Sequence, residues 1–193
     1  ANSLESAKAS LKAAEDNRAS LRSSICLMTG WNYDADIEIG AVPVPDLDAI
    51  AALDLAADTE KAVNNNYELI SIRHQGRAGS TVKQDMRDRN LSDAETAVRI
   101  SMESLYETLR QQVITWEGAD ASWQAAKKDR AALDQKYQLG MIGRLEYLQG
   151  ELAYLQAESA KLSADISLQK AYEDYLWQVK GVSVGGTQNS GQN

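Results

Sequence analysis

The sequence predicts an all-α chain: a long antiparallel coiled-coil hairpin with an additional N-terminal helix and a short mixed connector. Three observations carry this. Apolar residues recur in steps of three and four over long stretches. The only two prolines, Pro43 and Pro45, stand almost together, and the roughly 140 residues after them contain none, so long helices can run without losing a backbone donor. Within KYQLGMIGRLEYLQGELAYLQ, residues 136–156, Gly140 and Gly143 interrupt the strongest helical pattern of the chain, at a cost of roughly 1 kcal/mol each relative to alanine.

The first segment, residues 1–28, sets Leu4, Ala7, Leu11, Ala14, Arg18, Leu21, Ile25 and Met28 on a heptad seam broken once by Arg18. An isolated helix of this length cannot bury its seam alone, so the seam is expected to pack on the hairpin or on a second copy. Gly30 is the stop signal. Residues 29–66 form an acidic connector with eight acids and one Lys. Ile37 and Ile39 alternate with acids, a short extended signal. Asp46 caps a helix over about residues 47–63, and Asn64-Asn65-Asn66 closes it.

Residues 67–181 hold the hairpin. A weaker helix over 67–89 carries Gly76 and Gly79. Asn90 ends it, and Ser92 and Glu95 form a capping box that starts the next helix. A reversal is therefore expected at 89–92. The stripe then runs Val98, Met102, Leu105, Leu109, Val113, Trp116, Asp120, Trp123, Lys127, Arg130, Leu133 and Tyr137, and turns more polar toward its end. After the glycines it restarts as Leu145, Leu148, Leu152, Leu155, Ser159, Leu162, Ile166, Gln169, Glu173 and Leu176, while Tyr147, Tyr154, Tyr172 and Tyr175 broaden the face. Two apolar faces on one helix call for more than one packing neighbour. Gly140 supplies the left-handed residue that ends the first long helix. Met141 and Ile142 then form the apex, either as an exposed contact surface or folded down as a staple. Residues 182–193 are Gly-rich and polar, the composition of a disordered tail.

Several function classes are excluded by composition and spacing. A net charge of −8 argues against general nucleic-acid binding, which needs a basic surface. No run of about 18 apolar residues exists to span a membrane as a helix. Cys26 is a single cysteine between apolar neighbours and reads as a small buried hydrophobe. His74 is the only histidine and has no metal-ligand or nucleophile partner at the required spacing. DADIE at 34–38 departs from a calcium loop at its sixth and twelfth positions, Ile39 and Pro45. GRAGST lacks the spacing of a phosphate loop. No catalytic constellation, cofactor site or metal site is read, and the chain is not expected to be an enzyme.

Four segments in order carry a resemblance: residues 4–31, ending LMTGW, the stretch from Pro45 to Arg73, the run Tyr137 to Leu148, and LQKAYEDYLWQVKG ending at Gly181. Together they resemble the outer membrane efflux protein (TolC-like) family. The resemblance implies an exported, extracytoplasmic module of an efflux or secretion component, placed in the periplasm or cell envelope. Residues 1–28 would close a preceding repeat. It also implies self-association, as a trimer in the family's full-length members. Leu139, Gly140, Met141, Ile142 and Gly143 would be the partner-binding tip, taking a periplasmic-adaptor-like protein. The family's barrel strands would enter between Arg89 and Ser92, where only a few residues stand. A barrel-less envelope scaffold without a transport role is the alternative expectation.

Overall fold

The computed structural model describes residues 2–33, 35, 38, 40, 43, 46–74 and 79–183, with helices and no strand among them. The extended signal at Ile37 and Ile39, most of the glycine-rich stretch around Gly76 and the tail from 184 lie outside the described residues. Two compact units divide the chain at residues 41 and 42.

In the first unit, α1 runs from Asn2 to Thr29. Its C-terminus closes with the Trp31 N–H donating to the Cys26 carbonyl at 2.8 Å. Cys26 is buried beneath this turn, its Sγ 4.0 Å from the Ala35 carbonyl. The expected seam is present in sequence but is not covered: Leu4, Leu11, Leu21 and Ile25 are all exposed.

The second unit begins with α2, Leu47–Ala51, and α3, Leu55–Asn65. The single helix expected over 47–63 is thus two. Asp46 caps the first as expected, accepting from the Asp48 and Ala49 N–H groups at 3.0 and 3.1 Å. Asp54 caps the second in the same way through Ala56 and Ala57, and two good caps eight residues apart hold the break open. Asn66 caps α4, Tyr67–His74, by accepting from the Leu69 N–H at 3.1 Å.

The reversal expected at 89–92 does not occur. Helix α5 runs unbroken from Thr81 to Gln138, 58 residues, or about 87 Å at 1.5 Å per residue. Two contacts explain why the capping box is overridden. Glu95 does not reach back to a free N–H; its carboxylate accepts from Arg73 of α4 at 2.7 Å. Leu91 and Ala94 pack against the core, so breaking the helix there would strip that seam. Only the Ser92 carbonyl is used locally, accepting from the Thr96 hydroxyl as in any helix interior.

Helix α6 covers Arg144–Val179 and lies antiparallel on α5. Tyr106 meets Tyr175, Trp116 meets Asp165, Arg130 meets Glu151, and Tyr137 meets Tyr147. As residue numbers rise on α5 they fall on α6, which fixes the register. The apolar core is concentrated at the base, where Met102, Leu109, Leu168 and Tyr175 are fully buried beside Val63 and Leu69. Tyr175 donates to the buried Asp58 at 3.1 Å, and the Asn65 amide donates to the Val179 carbonyl at 3.1 Å, so α3 is pinned to the hairpin base. Burial, reinforced by the Asp58 carboxylate, pushes the Tyr175 phenol well above its ordinary range.

Candidate docking site at the hairpin tip

Above the base the hairpin seam changes character. Lys161 donates to Asp165 at 2.5 Å, stands 3.9 Å from Asp120, and lies 4.5 Å over the Trp116 ring. The Trp116 indole N–H donates to the same Asp165 carboxylate at 2.6 Å. Further out, Arg130 donates to Glu151 at 2.6 Å and covers the Tyr154 ring at 4.4 Å. Trp116, Asp120 and Arg130 lie on the expected stripe of α5, and its polar second half is filled by ion pairs and cation–π contacts to α6 instead of apolar layers.

Toward the tip two features bring the helices together. Gly150 gives Leu133 room on α5, since a Cβ there would overlap the Leu133 side chain. Tyr137 and Tyr147 stack with ring centroids 4.5 Å apart and planes 23° from parallel. The Asp134 carboxylate, hydrogen-bonded to the Tyr147 phenol, raises that phenol above its ordinary value. This stack is the last side-chain clasp before the turn.

The turn is formed by backbone. Gly140 has φ +69°, the left-handed conformation that residues with a Cβ adopt at a cost. Its N–H donates to the Tyr137 carbonyl at 3.0 Å, and the Met141 N–H donates to the Lys136 carbonyl at 2.8 Å. This pair of bonds is the Schellman closure of a helix end. The Tyr147 N–H returns to the Gly143 carbonyl at 3.1 Å and starts α6. Backbone bonds thus hold the reversal, and its side chains are left free for other use.

The expected site residues separate here. Leu139 is 74% exposed, Met141 69% and Leu145 73%. Ile142, expected at the exposed apex beside Met141, is half-buried. Gly140 and Gly143 shape the loop. Leu145 belongs to the same apolar cap, although its seam position had marked it as a packing residue.

A second departure concerns α6. The Leu145–Leu148–Leu152–Leu155–Leu162–Ile166 seam, the cleanest pattern in the chain, faces solvent: each of the six is exposed. The face turned to α5 is instead Tyr147, Gly150, Tyr154, Ala157, Lys161, Ala164, Leu168, Ala171 and Tyr175, none of them exposed. It lies about 150° round the helix from the leucines, nearly the opposite face. Small and aromatic residues mark this face, and apolar periodicity alone ranks it below the leucines.

No group of three or more His, Cys, Asp or Glu that could hold a metal occurs among the described residues. No helix among them is long and apolar enough to cross a membrane. Compared with protein-family models, curated proteins and solved structures, the chain matches none.

Proposed function

We propose that the chain is a non-enzymatic, extracytoplasmic helical module of an efflux or secretion assembly, and that it docks an adaptor-like partner through its hairpin tip. The observation that carries this reading is the group of Leu139 and Met141 on the turn and Leu145 in the first turn of α6, all mostly exposed beside a reversal whose backbone is already closed by its own hydrogen bonds. Exposed apolar side chains that contribute little to folding fit a contact surface. The resemblance of residues 137–148 to the efflux-protein tip supplies the class of partner and the envelope setting.

The barrel-less scaffold is the second reading, favoured by one observation. Helix α5 passes without interruption through residues 89–92, where the family's strands would enter. Adaptor binding separates the two readings. The test is capture of an adaptor-type protein encoded beside this gene, with thermal melting of the same variants. Met141→Ala and Leu139→Ala should shift stability by no more than about 0.5 kcal/mol, as exposed substitutions do, and should weaken capture, since a small tip contact depends on each apolar anchor. Gly140→Val should cost about 1–2 kcal/mol, because Val must take the left-handed conformation. Unchanged capture by the two alanine variants rejects docking at the tip and leaves the scaffold reading.

A further inference from the structure

Six large aliphatic side chains on one face of α6, in steps of three and four across residues 145–166, are exposed while the helix already has α5 on another face. Such a stripe is a coiled-coil seam without its second helix. We propose that a second copy of this chain covers it, α6 against α6, parallel and in register. This inference does not rest on the tip-docking reading.

The pattern of the seam selects the occupant. Its seven positions are Leu145, Leu148, Leu152, Leu155, Ser159, Leu162 and Ile166. In parallel register every layer pairs like with like. Ser159 meets Ser159 of the other copy, and the two hydroxyls satisfy each other. Antiparallel pairing sets Ser159 against Leu148 at two layers, and a slip by one heptad sets one Ser159 against Leu152 and the other against Ile166; either leaves hydroxyls without partners in an apolar seam. One polar layer therefore fixes both direction and register, the role such residues play in coiled coils.

The flanking positions agree. In parallel register Arg144 faces Gln149, Glu151 faces Gln156, Glu158 faces Ser163, and Asp165 faces Lys170 across the pair. No like charges meet, and Asp165 and Lys170, the one charged pairing, are each already held within their own chain, by Lys161 and Asp174. The carboxylates of Glu151, Glu158 and Asp165 are moreover already engaged inside each hairpin, with Arg130, Tyr154 and Lys161. The other unpartnered seam, that of α1, carries Arg18 at its fifth position, which would set a cation in the layer that Ser159 occupies.

Residues 145–166 make three heptads, about 33 Å of helix. That seam buries less than a standard interface of roughly 800 Å² per partner. The dimer is accordingly weak, with a dissociation constant on the order of 100 µM. It sets two hairpin tips side by side at the same end.

Sedimentation of the full chain from about 10 µM to 1 mM should show a reversible monomer–dimer equilibrium. Leu152→Glu and Leu155→Glu should each weaken it at least about ten-fold and leave the thermal melt unchanged, because both positions are exposed in the single chain. Ser159→Cys should give a cross-linked dimer under mild oxidation where the native chain, whose Cys26 is buried, gives none; this requires the two Cα atoms within about 7 Å. A chain that stays monomeric throughout, a dimer indifferent to both glutamates, or a dimer that fails to cross-link through residue 159 overturns the proposal. So does a dimer abolished by Leu11→Glu on α1.

Discussion

Lys161→Met tests what holds the middle of the hairpin. The Lys161 side chain is only 13% exposed and neutralises two carboxylates, Asp165 at 2.5 Å and Asp120 at 3.9 Å. Methionine fills the same volume and removes the charge. Asp165 keeps the Trp116 N–H at 2.6 Å but loses its cation in a largely dehydrated seam. Breaking one partner of a fully buried pair costs about 3–5 kcal/mol. Asp165 is 17% exposed and Asp120 33%, so water reaches part of the site and a loss of about 1–3 kcal/mol is expected. Urea unfolding followed by circular dichroism reads it directly. Lys161→Met/Asp165→Leu should recover most of the loss, because an apolar pair of similar volume replaces an ion pair at little cost. Lys8→Met, on an exposed ion pair in α1, should change stability by less than about 1 kcal/mol. If Lys161→Met unfolds at the wild-type midpoint, the polar cluster does not hold the hairpin and the account of its distal half is wrong.

Two further outcomes follow from the base of the hairpin. Gly181→Ala should destabilise by at least about 1–2 kcal/mol, since Gly181 has φ +88° and a residue with a Cβ is strained there, and since that Cβ would overlap the Asn65 carbonyl; thermal melting measures it, and an unchanged melt would falsify the packing of α6 on the α3 end. The Arg99 guanidinium, hydrogen-bonded at 2.6 Å, holds Glu60 below its ordinary value of 4.5. A carboxylate depressed in the folded state contributes stability that is present above its unfolded value and is lost as pH falls through the folded one. Stability should therefore decline as pH drops below about 4.5, and Glu60→Gln should flatten part of that decline in a pH series of melts.

The sequence was most legible where one local interaction decides the geometry. The left-handed glycine at 140, the Asp46 cap and the α5 stripe from Val98 to Tyr137 follow from single residues or from one face of one helix. It misled where a local signal competes with a distant partner. Ser92 and Glu95 have the spacing of a capping box, but Arg73, 22 residues away, takes the Glu95 carboxylate. Asp54 was a second cap hidden within an apparently continuous pattern. The leucine seam of α6 was visible as a seam, and two faces on that helix already called for two neighbours. Which face α5 takes depends on fit: Gly150, Ala157 and Ala164 admit close approach, and Tyr154 and Trp116 bring polar handles to an otherwise thin core.

The distal half of the hairpin works as a ruler. From the Lys161 cluster to the turn, both arms repeat in sevens. A seven-residue insertion in each arm would move the tip outward by about 10.5 Å and bring every later side chain back to nearly the same face. How far the tip stands from the base and what the tip presents are therefore separate variables, one set by the number of heptads and the other by the few side chains around Gly140. Either can change without rebuilding the other.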